Sequence, residues 1–391
     1  MKIAIFSDNF YPEMSGISDS VISIAKGLAQ KGHRINFYVP RYSKKNYAIS
    51  KLKPEELDLG GNIKIIRLFS LPYPPAPTKQ GRMVLPMLTS YRHVKKFNPD
   101  IIYTQLFFGA GLEALFVSKL LKKPLIGTSH TPITEFLKYS PVKWRWLQKA
   151  SRKYVNWYYR QCHLTSAPSR SILSEMEEGG FNKKSFILSN PIDFSNFNPV
   201  SSEEEKTRLK NKFGLSKQTI LYTGRIAREK NIDVIIRALA TVKNKFPRIT
   251  FALTGHGAAE KELKRLAKEL GLEKQVIFTG YLDSGKKFAE IYQASDIFCV
   301  MSTAEAQCMS MMHAMASALP VVGANARALP EYINAQNGFI VRPGDAEELA
   351  EKIIHLFSHP EEMERLGKGG CQHAKNFSAS SIIDEWENIF Q

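Results

Sequence analysis

Ser302-Thr-Ala-Glu305-Ala-Gln-Cys-Met-Ser-Met-Met-His313-Ala-Met-Ala-Ser-Ala-Leu-Pro320-Val-Val reads as a turn carrying one acid, an apolar-faced helix, then a proline and a β-branched run. Met309, Met312, Ala316 and Leu319 recur at helical spacing, which predicts a helix from about Gln307 that Pro320 stops. The first-turn N–H groups of that helix point back toward Glu305, and open donors at a helix start favour an anion. A phosphate-bearing ligand is the first candidate. A core helix preceded by an acid of no special role would show the same pattern, so the flanking sequence has to decide.

Upstream, strands alternate with helices. Asp296-Ile-Phe-Cys-Val300 runs straight into the quoted stretch. Before it come Val276-Ile-Phe278, ending at Thr279-Gly280-Tyr281, and Ile249-Thr-Phe-Ala-Leu-Thr254, ending at Gly255-His256-Gly257. Thr219-Ile-Leu-Tyr-Thr223 opens the series and leads into Gly224-Arg225-Ile-Ala-Arg-Glu229-Lys230-Asn231, where Arg225 and Lys230 flank a turn between strand and helix. Two cations so placed can clamp a diphosphate. Four strands thus aim their carboxyl ends at one crevice, and the pattern is that of an α/β domain with a parallel sheet.

The first half repeats the alternation. Lys2-Ile-Ala-Ile-Phe6 is a buried strand, followed by a loop that reaches Gly16 and a helix with Val21, Ile24, Ala25 and Leu28 on one face. Gly16 sits where a backbone could approach a ligand closely, or where a turn is merely tight. No Gly-x-Gly-x-x-Gly fingerprint is present, so a dinucleotide site is not read here. Pro124-Leu-Ile-Gly-Thr128 ends in Ser129-His130, and His130 stands on the carboxyl edge where parallel sheets bind ligands. The region near 194–204 lacks apolar periodicity and is taken as the boundary, giving domains 1–194 and 195–377. A last helix, with Ile382, Ile383, Trp386 and Ile389 on one side, closes the chain over 378–391.

Charge is uneven between the halves. Residues 1–194 hold 29 basic and 13 acidic side chains, a net +16, whereas 195–391 is nearly neutral. That asymmetry implies an anionic partner. The segment 143–160 has six basic residues, no acid and three of the four tryptophans. Trp144, Leu147, Val155 and Tyr158 fit one helix face, with Lys143, Lys149, Arg152 and Lys153 nearby, and Trp144, Trp146, Lys149, Arg152 and Lys153 are the candidate membrane or acceptor residues. A basic, Trp-rich amphipathic helix suits an anionic membrane surface; a core helix with a solvated basic side has the same composition. Nucleic acid is not expected as a partner, because no signature for it accompanies the patch.

With 391 residues and 43% hydrophobic content the chain can hold two ordinary domains. Its apolar runs are strand-length, far from the ~20 residues of a membrane span. Four scattered cysteines form neither a disulfide framework nor a metal-ligand pattern, which fits a reducing cytoplasm.

Taken together, Thr223-Gly-Arg-Ile-Ala-Arg-Glu-Lys-Asn-Ile-Asp233, Gly255-His-Gly257, Phe278-Thr-Gly280 and Glu305…Ala314-Met-Ala-Ser-Ala-Leu-Pro-Val-Val resemble the retaining GT-B glycosyltransferases of the family 4 type. Ser7-Asp-Asn-Phe-Tyr-Pro12, Ser129-His130-Thr131 and Asn190-Pro-Ile-Asp193 match in the first half, and the branch resembled is that of the diacylglycerol glucosyltransferases. The resemblance implies two Rossmann-like domains facing across a cleft, a nucleotide-sugar donor such as UDP-glucose on the second and a lipid acceptor on the first. It also implies that the terminal helix returns to the first domain. Arg225 and Lys230 would hold the donor diphosphate, Glu305 the sugar hydroxyls, and His130 the sugar near the reaction centre. Gly16, Gly255, Met309 and Tyr281 would line the donor. No metal or other cofactor is implied, since the two cations can neutralise the leaving diphosphate. Where the family carries a second, ribose-gripping glutamate, this chain has His313. An imidazole lacks the two-oxygen grip of a carboxylate, so His313→Glu is expected from sequence to tighten donor binding. The enzyme expected is a hexosyltransferase peripheral to the inner face of the cell membrane. A soluble acceptor, or a non-catalytic nucleotide-sugar binder, are the other readings.

Overall fold

The computed structural model describes residues 1–13, 15–49, 52–73, 80–130, 145–282 and 285–390. The chain divides into two compact units, Met1–Pro191 with Ala379–Gln391, and Ile192–Ser378.

In the first unit the strands are β1 (Lys2–Phe6), β2 (Arg34–Pro40), β3 (Ile63–Leu68), β4 (Ser70–Pro72), β5 (Arg82–Val84), β6 (Ile101–Thr104), β7 (Leu125–Thr128), β8 (Leu164–Ala167) and β9 (Ser185–Ile187). Seven of them form a sheet in the order β3-β2-β1-β6-β7-β8-β9, every pair parallel. The strands are short and apolar because helices cover both faces, so no alternation with polar residues is needed. The chain winds outward from β1 to β3 and restarts at β6 on the other side of β1. That reversal is the topological switch point where open α/β sheets bind ligands. β4 and β5 form a separate antiparallel hairpin.

The second unit is built the same way from β10 (Thr219–Thr223), β11 (Thr250–Thr254), β12 (Val276–Gly280), β13 (Ile297–Val300), β14 (Val321–Ala324) and β15 (Gly338–Val341). Their order is β12-β11-β10-β13-β14-β15, again all parallel, with the switch between β10 and β13. Two doubly wound, Rossmann-like parallel sheets are therefore present.

The terminal helix Ala379–Phe390 belongs to the first unit, where Ile382, Ile383, Trp386 and Phe390 are buried. It lies against the helix Gly16–Gln30 at Gly27, where an added Cβ would stand 2.4 Å from Ile383. Lys31 Nζ donates to Glu387 at 2.6 Å, and Trp386 meets Tyr103 of β6 edge-on.

Two helices depart from the sequence reading. The stretch taken as boundary, near 194–204, runs into the helix Glu203–Phe213, which opens with a Ser202 cap accepting from Glu205 N at 3.2 Å and closes on left-handed Gly214. Its apolar face is narrow because Lys206 and Lys210 both pair with Asp296 instead, which hid the period. Pro360–Ala374 is a further helix, started by Pro360 in the first turn.

Candidate functional site

The end of β10 and the end of β13 are neighbours, so the loops that leave them meet. Thr303 N donates to Glu229 O at 3.3 Å, and Asn231 Nδ2 donates to Met301 O at 3.0 Å. This stitching brings Lys230 Nζ to 2.6 Å from Glu305 Oε1 and leaves Arg225 2.9 Å from Glu229 Oε1. Burial works to raise the Glu305 carboxyl, but the charge and hydrogen bond of Lys230, helped by Ser302 and Arg225, outweigh it and hold the group below its usual range. Glu305 is thus a fixed, ionised acceptor beside two cations.

The neighbouring strand ends are shaped by glycine. Gly224 and Gly255 have φ of +145° and +132°, and a Cβ on Gly255 would stand 1.9 Å from Gly224 O. Gly224 N donates to Thr254 O, and Gly255 N to Gly280 O, so the β10, β11 and β12 ends form one backbone ledge. His256 Nε2 accepts from Tyr281 N at 3.2 Å, and the Tyr281 side chain is exposed.

The helix predicted from Gln307 begins at Met309. Cys308, at φ +64°, turns the chain left-handed just before it and carries no side-chain cap bond. Met311 N already donates to Cys308 O at 3.1 Å, so by helix geometry the N–H groups of Met309 and Ser310 are the first-turn donors open to an anion. His313 lies on this helix and stacks face-on against Phe197 at 3.9 Å and 7°. Phe288 and Tyr292 meet its ring at right angles, 6.3 and 6.1 Å away. Burial pushes the imidazole down to about 4, partly opposed by Asp193, so it is neutral near pH 7.

In the first unit, four strand ends carry buried polar atoms that find no hydrogen-bond partner among the described residues: Asp8 Oδ2 after β1, Gln105 Oε1 after β6, His130 Nε2 after β7 and Ser169 Oγ after β8. Burial lowers His130 to about 4 and raises Asp8 to about 6, although Ala110 N donates to Asp8 Oδ1 at 2.8 Å. Gly16 is the first residue of its helix, which Ser15 caps by accepting from Ser18 N at 3.1 Å.

The helix Arg145–Arg160 buries Val155, Tyr158 and Tyr159. Trp146, Lys149, Lys153, Trp157 and Arg160 are exposed at spacings of three and four, with Arg152 beside them. Trp144 lies outside the described residues. Trp157 belongs to this exposed face, to which the sequence reading did not assign it; that reading put Val155 and Tyr158 on one face with Trp144 and Leu147, and the structure buries Val155 and Tyr158.

Sequence gave no signal for Phe197, for the left-handed Cys308, or for Glu229 as the hub of both loops. Among the described residues, no three His, Cys, Asp or Glu side chains gather as metal ligands would, and no helix is long and apolar enough to cross a membrane.

Two family models divide this chain between them. Residues 14–196 match Glycosyltransferase Family 4, and 203–373 match Glycosyl transferases group 1. The chain is a glycosyltransferase, a hexosyltransferase of the retaining family 4 type, with the two Rossmann-like domains of the GT-B fold. It is 25% identical to the alpha-monoglucosyldiacylglycerol synthase of Acholeplasma laidlawii over 100% of this chain and 96% of that one. It is 28% identical to a sulfoquinovosyl transferase of Arabidopsis thaliana over 73% of this chain and 55% of the relative. The fold matches that of Anabaena HepE in complex with UDP at a TM-score of 0.78 and 20% identity, covering 100% and 99% of the two chains.

Proposed function

We propose that this protein transfers glucose from UDP-glucose to a membrane lipid such as diacylglycerol, at the anionic inner surface of the cell membrane. The observation that carries the membrane part is the exposed face of Arg145–Arg160, where two tryptophans and a row of cations stand outward from the basic unit. Tryptophan favours the headgroup level and cations favour anionic lipid. The relatives named for diacylglycerol and sulfoquinovosyl transfer support a lipid acceptor.

In this reading the second unit holds the donor. Arg225 and Lys230 face the diphosphate together with the first-turn N–H groups at Met309, Glu305 accepts from hydroxyls of the sugar, and the Gly255 ledge lets the nucleotide lie against backbone. Tyr281 and His313 border the nucleotide. Gly16 and His130 serve the first unit's side, His130 as a neutral imidazole. As the glycosidic C–O bond to the diphosphate breaks, negative charge grows on the leaving oxygen, and the two cations with the helix start stabilise it without a metal. The acceptor oxygen attacks from the same face and its proton passes to the leaving phosphate oxygen, which retains the anomeric configuration.

Turnover of UDP-glucose with diacylglycerol in phosphatidylglycerol vesicles, against a soluble sugar acceptor, tests the reading. Glucosyl-lipid formed only with vesicles is the expected result. Transfer to the soluble acceptor with no vesicle dependence overturns it.

A further inference from the structure

In the first unit, charge and exposed apolar surface coincide. Residues 59–99 hold seven Lys and Arg, 136–174 hold eight, and neither stretch has an Asp or Glu. Among the described residues, thirteen of the fourteen exposed large apolar side chains belong to this unit. Those in the second acid-free stretch are Trp146 and Trp157, discussed above. In the first stretch the most exposed is Met87, at 67%, with Leu88 beside it and the cross-strand pair Leu71 and Met83 on the β4–β5 hairpin nearby in sequence.

The Met87-Leu88 turn is built to stay outward. Leu88 has φ +57°, a conformation that costs a leucine energy and persists only when its surroundings impose it. The constraint is Glu113, fully buried in the helix Gly109–Leu121. Its carboxylate accepts from Leu88 N at 2.8 Å, Ser90 N at 2.9 Å and Ser90 Oγ at 2.7 Å. Just beyond the turn, the helix Tyr91–Phe97 exposes Arg92, Lys95 and Lys96. An apolar tip set among lysines fits poorly in the core of a protein interface, from which lysine is depleted, and fits a bilayer whose headgroups are anionic.

The same helix Gly109–Leu121 carries the tryptophan face. Tyr158 hydroxyl donates to Gly111 O at 2.9 Å, and Lys119 Nζ donates to Gln161 Oε1 at 2.8 Å. One rigid element therefore holds both surfaces, and its own outer side exposes Phe116 and Leu120.

We propose that the Met87-Leu88 turn is a second membrane contact, an apolar wedge that enters the interface of an anionic bilayer and, with the Trp146/Trp157 face, fixes how the first unit is oriented on it. This rests on the lipid-surface reading above. A single contact leaves the unit free to pivot; two contacts on one helix do not.

The test is sedimentation of the full chain with vesicles of mixed phosphatidylglycerol and phosphatidylcholine, comparing wild type with Met87→Ser/Leu88→Gly. Glycine accepts the left-handed turn, and Met87→Ser alone serves if the double variant does not fold. The expected result is about a tenfold loss of vesicle affinity, the scale of removing part of two buried apolar side chains, with unfolding midpoint and UDP binding unchanged. Wild type that ignores anionic vesicles overturns both this proposal and the lipid-surface reading. Wild type that binds, with a variant that binds equally well, overturns this proposal alone. So does a wild-type dimer that the substitution makes monomeric while vesicle binding persists, since the surface is then a protein interface.

Discussion

Lys230 Nζ stands 2.6 Å from Glu305 Oε1, and the pair closes the gap between the ends of β10 and β13. Both side chains are mostly buried, so each is the other's counter-charge, and in the proposed donor site a diphosphate would compete with Glu305 for Lys230.

Arg225→Ala and Lys230→Ala are each expected to reduce turnover ~100-fold or more, the scale of losing one charged contact to a transition state. Lys230→Ala should also lower the unfolding temperature of the second unit, because Glu305 is left as an unpaired buried carboxylate. Arg225→Ala should not, its guanidinium being part-exposed. Glu305→Gln keeps the shape and should lose activity with the fold intact. Initial rates with UDP-glucose beside calorimetric unfolding check all three, and a wild-type rate in either cation variant removes the diphosphate clamp.

Asp8 and His130 should tilt stability in opposite directions with pH. Asp8 titrates near 6 in the fold against 3.8 unfolded, so the native state holds the extra proton between those values and stability falls as pH rises through them. His130 titrates near 4 against 6.5, so the unfolded state holds the extra proton and stability rises over nearly the same window. Each shift is worth on the order of 3 kcal/mol, and in the wild type the two largely cancel. Asp19, which burial also raises to about 6, adds a second falling contribution in every form, so the expectation is relative to wild type: Asp8→Asn tilts the slope of stability between pH 4 and 6 upward, and His130→Gln tilts it downward. All four tryptophans, at 144, 146, 157 and 386, lie in the first unit, so denaturant titrations followed by their fluorescence report on it alone. Parallel slopes in the two variants contradict the assignment.

The second sheet was legible because its strands are apolar runs; β10 and β11 run into Gly224 and Gly255 and β12 ends at Gly280, all at positive φ. Arg225, Lys230 and Glu305 stood out as candidates because each is a charged side chain in a loop after a strand; that Lys230 pairs with Glu305 and Arg225 with Glu229 is not visible in that pattern. What surrounds them was not. Glu229 joins the two loops through its backbone oxygen, which no side-chain pattern encodes, and Cys308 adopts φ +64° without being glycine or asparagine. The helix at 203–213 was hidden because Asp296, far along the chain, is what Lys206 and Lys210 answer to.

His313 shows how a long-range contact changes an expectation. From sequence, His313→Glu should tighten donor binding by restoring a carboxylate. In the fold the imidazole lies flat on Phe197, within reach of Phe288 and Tyr292, and a carboxylate in that seat would meet the negative face of a ring while losing water. The expected outcome is therefore unchanged or weaker UDP binding and a lower unfolding temperature for the variant. Titration calorimetry with UDP decides between the two, and tighter binding would restore the expectation read from sequence.

The tryptophan helix gives the last prediction. Trp146 and Trp157 are three turns apart on the exposed face of Arg145–Arg160, with Lys149 and Lys153 between them and Arg152 adjacent. Each cation near an anionic surface contributes ~1 kcal/mol, so neutralising three should weaken vesicle affinity by about two orders of magnitude. Added salt should weaken the wild type in the same way, since the attraction is screened within a Debye length. Lys149→Ser/Arg152→Ser/Lys153→Ser is thus expected to sediment more weakly with phosphatidylglycerol vesicles and to lose part of its salt dependence, Arg92, Lys95 and Lys96 being unchanged, while UDP binding in the second unit is retained. Trp157→Ala should lower affinity at every salt concentration, because an aromatic anchor acts through apolar area rather than charge. The two effects are separable on one plot of vesicle affinity against salt: the triple variant flattens the slope, and the tryptophan variant shifts the line down without changing it. If instead the triple variant keeps the wild-type slope, the cations of this helix face solvent only, and the excess of +16 in the first half has to act elsewhere on the unit.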